Sequence, residues 1–361
     1  MGITRLTDTE LDELVGRFVA NYGHTYGRAM MQGSIRASIG VTFGAVSQRR
    51  VSDSLRRIAP GAFEARTRDL IERTNPIPYY APFFGYKVRM DQNEKIAQRF
   101  GCTHVALIDG CSRMMVGYSS MPVKNPILVY EFVFRPAIIK YGLWDQLRVD
   151  HGTEFFLCIF VQDLLKRYRF SQERLPWRQT ASTENYTIER FWPEMNSRVN
   201  YPIKRAMIYI SEENQYDMSD PVIKYCFSFI TSYIASDAAQ HLVTSWNHHR
   251  VPGASGCVPI NNMNATKRTV KMFEPLVPTT SEAVRMYEES GGQLSRNFEF
   301  GFDPLGTIEH AYETRISLFK VRQPSGKELF SKIVHNEYDT TKLALEYFHE
   351  LTLLLSDEYG E

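Results

Sequence analysis

Three strand-forming stretches in quick succession, followed by strands that alternate with helices, leave this chain few folds to choose from. Residues 85–91 alternate in polarity and carry Tyr86, Val88 and Met90; residues 103–109 hold Val105, Leu107 and Ile108; residues 114–119 follow the turn Asp109-Gly110-Cys111-Ser112. The pattern then becomes a helix over 126–141, a short strand over 146–150, a helix over 154–168, an extended piece over 177–180, and a helix starting between Thr183 and Ile188. The order β-β-β-α-β-α-β-α is that of an α/β protein with a mixed five-stranded sheet and flanking helices, in which the fourth strand can lie parallel beside the first.

The flanks differ from this centre. Residues 1–62 read as helices: Leu11, Leu14, Val15 and Phe18 recur at helical spacing behind the capping box of Thr7 and Glu10. A second helix spans about 27–38, and a third starts near Ser47 with Val51, Leu55 and Ile58 on one face. Its outer face is polar and basic, which makes Arg49, Arg50 and Arg56 candidate DNA contacts in a helix-turn-helix. An ordinary three-helix bundle with a solvated face fits the same pattern. Residues 63–82 read as a linker, 83–260 as the core and 261–361 as an acidic, loop-rich extension ending in a helix over 341–355.

Composition limits the partners less than its distribution does. The net charge of +1 argues for no particular ligand. Between Arg28 and Arg73, and again between Lys166 and Arg205, basic residues outnumber acidic ones roughly two to one, enough to attract phosphates locally. Five cysteines without a CxxC pair exclude zinc-finger spacing and point to free, mostly buried thiols. The polar start has no signal-peptide pattern, and no apolar stretch is long enough to span a bilayer, so an intracellular protein is expected.

Acid chemistry has four candidate places: Asp91 with Glu94, Asp109, Asp150 with Glu154, and Glu189. Topology separates them. If strands one and four are parallel neighbours, Asp91 and Asp150 emerge at one rim, beyond the carboxyl ends of the strands, where open α/β sheets carry their sites. Strand two runs the other way, so Asp109 belongs to the far rim as a turn residue. Glu189, on the following helix, can lean over the first two. Three carboxylates at one spot repel unless a cation joins them, and an all-oxygen set suits Mg²⁺ or Mn²⁺. Two such ions about 4 Å apart can clamp a phosphate. No Ser/His nucleophile motif and no Walker-type loop competes with this.

At these residues the chain resembles a known family. Val149-Asp150-His151-Gly152-Thr153-Glu154-Phe155 is similar to the D-x-G-x-E-F element of retroviral-type integrase cores, and Asn185-Tyr186-Thr187-Ile188-Glu189-Arg190-Phe191-Trp192 to that family's N-x-x-[VI]-E-R-x-[NW] element. Val88-Arg89-Met90-Asp91 matches the first-strand element loosely. Ala106-Leu107-Ile108-Asp109-Gly110-Cys111-Ser112-Arg113 resembles the second-strand element, whose Asp is not a ligand. Trp246-Asn247 with His249, Arg250 and Pro259 resembles the closing segment.

The resemblance covers about residues 83–260. It implies an RNase H-like fold, of the D,D,E transposase/integrase superfamily, with Asp91, Asp150 and Glu189 as catalytic metal ligands for two Mg²⁺ or Mn²⁺ ions. Double-stranded DNA is the implied substrate, a homo-oligomer the implied assembly, and the nucleus the implied location in a eukaryote. His151, Asn185, Arg190 and Arg198 are then candidate DNA contacts, although His151 also suits a plain loop position and Asn185 a helix cap. The implied activity is integrase- or transposase-like cutting and joining of DNA. The alternative is a domesticated, catalytically silent DNA-binding protein. Pro193, four residues after Glu189, requires that the helix start late, near Thr187, or kink.

Overall fold

The computed structural model describes residues 6–40, 46–61, 63, 80–180, 186–251 and 256–359. Three helices come first: α1 (Asp8–Tyr22), α2 (Arg28–Ser38) and α3 (Gln48–Ile58). The capping box at Thr7 is formed, with the Glu10 carboxylate taking the Thr7 N–H at 2.7 Å. Then come β1 (Val88–Asn93), β2 (Thr103–Asp109) and β3 (Met115–Met121). Helix α4 joins Pro126–Val129, a π-helical stretch Tyr130–Phe134 and Arg135–Tyr141. Strand β4 (Leu147–Val149), helix α5 (Phe156–Leu164) and strand β5 (Trp177–Gln179) complete the sheet, in the order β3-β2-β1-β4-β5. β1 is antiparallel to β2 and parallel to β4; β4 is parallel to β5.

Both faces of the sheet are covered, and the pleat assigns each residue to one of them. Every residue of β2 is buried. Val105 and Leu107 join Val88, Met90, Val116, Leu147 and Val149 in a core shared with α4 and α5. Ala106, Ile108 and Met115 face the other way, into a larger core. The first strand starts later than its alternation suggested, because the chain turns between Phe83 and Tyr86 with Gly85 at φ 103°. It also runs on past Asp91 to Asn93, since Gln92 and Asn93 keep pairing with Val105 and His104.

The larger core is organised by one long helix. After α6 (Tyr186–Glu189) comes α7, made of Trp192–Met195, a π-helical turn Asn196–Asn200 and Tyr201–Glu213. The 28-residue α8 (Pro221–His248) follows, then α9 (Pro259–Thr266), α10 (Thr280–Glu289), α11 (Glu309–Arg322), α12 (Gly326–Val334) and α13 (Asp339–Tyr359). The loop-rich extension expected after Arg250 is therefore largely helical. Capping boxes at Thr279/Glu282 and Ser325/Glu328 mark two of its helix starts, a signal present in the sequence. α8 packs against α2, α7, α12, α13 and β3. Hydrophobic residues of α1, α2, α3, α7, α8, α12 and α13 form one continuous core with a face of the sheet, so the hydrophobic boundaries do not fall at 62 and 260. Among the described residues no helix is long and apolar enough to cross a membrane, and all five cysteines are free.

Two contacts fasten the flanking helices. At Gly33 the backbones of α2 and α8 touch: a Cβ there would run into the Ser245 carbonyl oxygen and the His249 N–H, and next to it Ser34 Oγ and Ser245 Oγ are 2.5 Å apart. In the C-terminal part, the fully buried Arg315 makes a two-pronged pair with Asp303 at 2.7 and 2.5 Å and donates to the Tyr225 hydroxyl on α8 at 2.8 Å.

Gly33→Ala is expected to destabilise the chain by about 1–3 kcal/mol, because its obstacle is backbone and cannot rotate away; urea unfolding measures this. Asp303→Ala, which strands a buried guanidinium, should cost about 3–5 kcal/mol. The double replacement Asp303→Leu with Arg315→Met should lose less than Asp303→Ala alone by the same measurement.

Candidate active site

The register of β1 on β4 brings two acids together. Val88 pairs with Leu147 and Arg89 with Arg148; carried two residues further, this sets Asp91 beside Asp150. Alternation puts both on one face, since Val88, Met90, Leu147 and Val149 all point into the opposite core. Asp109 pairs with Val88, three residues back along β1, so it sits about 10 Å towards the other rim at 3.3 Å per residue. Its fully buried carboxylate accepts the N–H groups of Gly85, Cys111 and Ser112, the Ser112 hydroxyl and the Trp144 indole. That is a structural use of an acid, satisfying a turn from inside.

Asp91 is buried, with 7% of its surface exposed. Its Oδ2 accepts the Trp192 indole N–H at 3.0 Å and its Oδ1 the Gln92 N–H at 2.9 Å. Burial pushes its pKa up to about 6 against these two hydrogen bonds, and the charges of Glu189 and Asp150 push it the same way. Asp150 is half-buried and takes the Gly152 N–H on Oδ1 at 2.9 Å. The Glu154 carboxylate folds back into the space that a Cβ at Gly152 would take. Glu154 is itself buried, and Lys124 lies between it (3.9 Å) and Glu94 (3.3 Å).

Glu189 ends α6 and is exposed, its pKa raised by partial burial of the carboxyl. The Pro193 problem resolves locally: the helix breaks at Arg190 and Phe191, and Pro193 falls in the first turn of the next segment, where a missing N–H costs nothing. Ile188, Phe191 and Trp192 pack into the core on the face that carries Asp91.

A buried polar network fixes the start of α7 on the end of β1. His104 Nε2 donates to Asn200 Oδ1 at 2.6 Å, an oxygen that can only accept. Asn200 Nδ2 donates to Asn93 and Asn196, and Asn93 Nδ2 donates to Asn196 at 3.0 Å. The π-helical turn Asn196–Asn200 lets both asparagines reach the strand. Sequence reasoning passed over Trp192 and this network; an indole one helical turn after the candidate third acid was the available signal.

Sequence reasoning also missed a cationic tract on the same sheet face. Arg89 and Arg148 are neighbours across β1 and β4, two residues below the acids. Burial first, then Arg148, Arg89, Arg174 and Arg113, depress the Lys87 amine to about 7. Among the candidate DNA contacts, His151 and Arg49 are exposed, Arg190 is half-buried and engaged, and Asn185 lies outside the described residues. Arg56 is exposed above the Phe63 ring at 4.9 Å. Two others are used internally. Arg50 binds Asp8 at 2.7 Å and the Leu6 carbonyl at 2.6 Å, tying α3 to the start of α1. Arg198 is turned inward, paired with Glu194 and stacked on Tyr26 at 5.3 Å, with only 10% of its side chain exposed.

Among the described residues, no group of three or more carboxylate, histidine or cysteine side chains is already closed around one point as a metal site. The donor chemistry nevertheless suits a hard dication: oxygen ligands only, one of them an acid that burial and neighbouring carboxylates hold part-protonated near neutral pH.

A sheet of this order and polarity, layered with helices on both faces, is an RNase H-like fold with an acid rim. The family model of the integrase core domain matches residues 86–269, about half of the chain, and the chain belongs to that family. The match runs past the expected end at 260, as does the packing: Arg268 N–H binds the Phe84 carbonyl, and Val270 bridges Leu143. No curated protein matches the chain.

The raised pKa of Asp91 has a sign that can be measured. A group protonated more readily when folded contributes stability below its unfolded pKa of 3.8, and that contribution is lost as pH rises towards 6. In EDTA, Asp91→Asn should therefore gain on the wild type by about 3 kcal/mol between pH 3.5 and pH 7.5, read from denaturant midpoints at each pH. A pH-independent difference would contradict the assigned environment of Asp91.

Proposed function

We propose that this integrase-core protein is a Mg²⁺- or Mn²⁺-dependent polynucleotidyl transferase that cuts and joins double-stranded DNA. The observation that carries this is the in-register, same-face position of Asp91 and Asp150 at the carboxyl rim of the sheet, with the helix of Glu189 on that face. Asp91, Asp150 and Glu189 would hold the divalent ions. When bound, such ions supply charge stabilisation and an activated oxygen nucleophile. The chain's own contribution is positional. β1 and β4 hold two carboxylates rigidly, Trp192 orients Asp91, and the Asn93–His104–Asn196–Asn200 network anchors α7, which begins just after Glu189. The exposed His151 and Arg49 are contacts for the DNA backbone in this reading, which also includes a homo-oligomer.

One observation favours a second reading, a catalytically silent DNA-binding protein. Both oxygens of Asp91 already accept hydrogen bonds, and the three acids are not closed on one point. The two readings part in a strand-transfer and end-nicking assay on labelled duplex with Mg²⁺ or Mn²⁺. Asp91→Asn, Asp150→Asn and Glu189→Gln should each reduce product by about a thousandfold or more, on the order of 4 kcal/mol of barrier, with duplex affinity kept. A folded wild type that binds duplex but yields no product with either metal supports the silent reading. Activity that survives Asp91→Asn and disappears in a folded Asp109→Asn would overturn the choice of strand.

A further inference from the structure

The closing motif around Arg250 has a part that the acid rim does not use. Trp246 and Asn247 are structural: the indole donates to the Arg113 carbonyl at 2.8 Å, and the Asn247 amide brackets the backbone of Met115 at 2.8 and 3.0 Å. Arg250 donates its Nε to the Gly256 carbonyl and lines a cavity of about 710 Å³ between the end of α2, the start of α3 and α9. Arg36, from α2, lines it as well. Its Nε is buried and has no hydrogen-bond partner. Burial, and then the charge of Arg250, hold the Arg36 guanidinium below its ordinary pKa. The described lining includes no carboxylate to offset two cations. Ser47 and Gln48 form one wall, which brings the positive end of the eleven-residue α3 to the cavity.

Like charges gathered around a space, beside a helix start and with an unused guanidinium donor, are the reverse of what stability alone favours. An oxyanion would satisfy all of them at once. We propose that this cavity is a phosphate-binding site, in which Arg36 and Arg250 grip the oxygens of one phosphate group. It is distinct from the acid rim. Asn262 in its lining donates to the Cys111 carbonyl, in the turn that follows β2 at the other rim of the sheet. The phosphate chemistry is common to a nucleic-acid backbone and to a small free phosphate. The site does not depend on whether the acids catalyse strand transfer.

The test uses the full chain in EDTA, so that the acid rim plays no part, with Arg36→Gln, Arg250→Gln and the double variant. Without phosphate, Arg36→Gln should melt at or above the wild-type temperature, because it removes a like-charge contact; a purely structural arginine would lower it, and a lowered melting temperature would overturn the proposal. Inorganic phosphate at matched ionic strength should raise the melting temperature of the wild type and leave the double variant unmoved. In a parallel duplex-binding titration, the slope of log affinity against log salt should shrink by about 0.9 in the double variant if the occupant is a DNA phosphate. An unchanged slope with the phosphate shift retained assigns the site to a small free phosphate. No phosphate-dependent shift in the wild type together with an unchanged slope refutes it.

Discussion

The parallel pairing of β1 with β4 governs the site because a pleated strand offers only two directions for a side chain. With Val88, Met90, Leu147 and Val149 drawn into one apolar layer, Asp91 and Asp150 must share the other face, and the register makes them neighbours. A one-residue slip of either strand would bury an acid among Leu and Val and expose the core, so hydrophobic burial enforces the juxtaposition of two like charges. The folded chain accommodates this by holding Asp91 part-protonated and by giving its oxygens an indole and a backbone N–H. Asp91 is thus desolvated, crowded by its own kind and hydrogen-bonded in one orientation, which is what the proposed metal-ligand role would ask of it.

α8 does for the helical layer what β1 does for the sheet. It supports β3 on one side and receives α2, α12 and α13 on others, so segments from both ends of the chain belong to the same core. This explains why the hydrophobic core does not stop where the sequence pattern changes. A change from basic to acidic surface, or from strand to helix, records what faces water and how each segment is built. It does not record where the core stops. It also explains the fate of Arg50 and Arg198. Both sit in basic stretches, yet Asp8 reaches Arg50 once α3 lies against the start of α1, and Glu194 pairs with Arg198 four residues along the same helix while packing brings Tyr26 onto it.

Much of this protein was legible before its structure. Five short strands, their order along the chain, the parallel neighbourhood of the first and fourth, and the place of Asp109 at the other rim all follow from period-two alternation, turn residues and strand direction. Those are local signals, because a strand's pattern is written in its own residues. The capping boxes at Thr279 and Ser325 were equally local and mark helices in a region that looks loop-rich. Trp192 against Asp91, the asparagine network on His104, the backbone contact at Gly33 and the meeting of Arg36 with Arg250 were not legible. These contacts reach across 96 to 216 positions, and they depend on how distant elements pack and, for the asparagine network, on a π-helical turn that no residue pattern announces. The sequence by itself determined which residues form the sheet and which of its acids share a rim, because pleat and strand order are properties of the segments. Only the tertiary structure decided which charges are spent holding the molecule together and which remain for a ligand, because an ion pair or an unpaired guanidinium exists only after distant helices have been packed side by side.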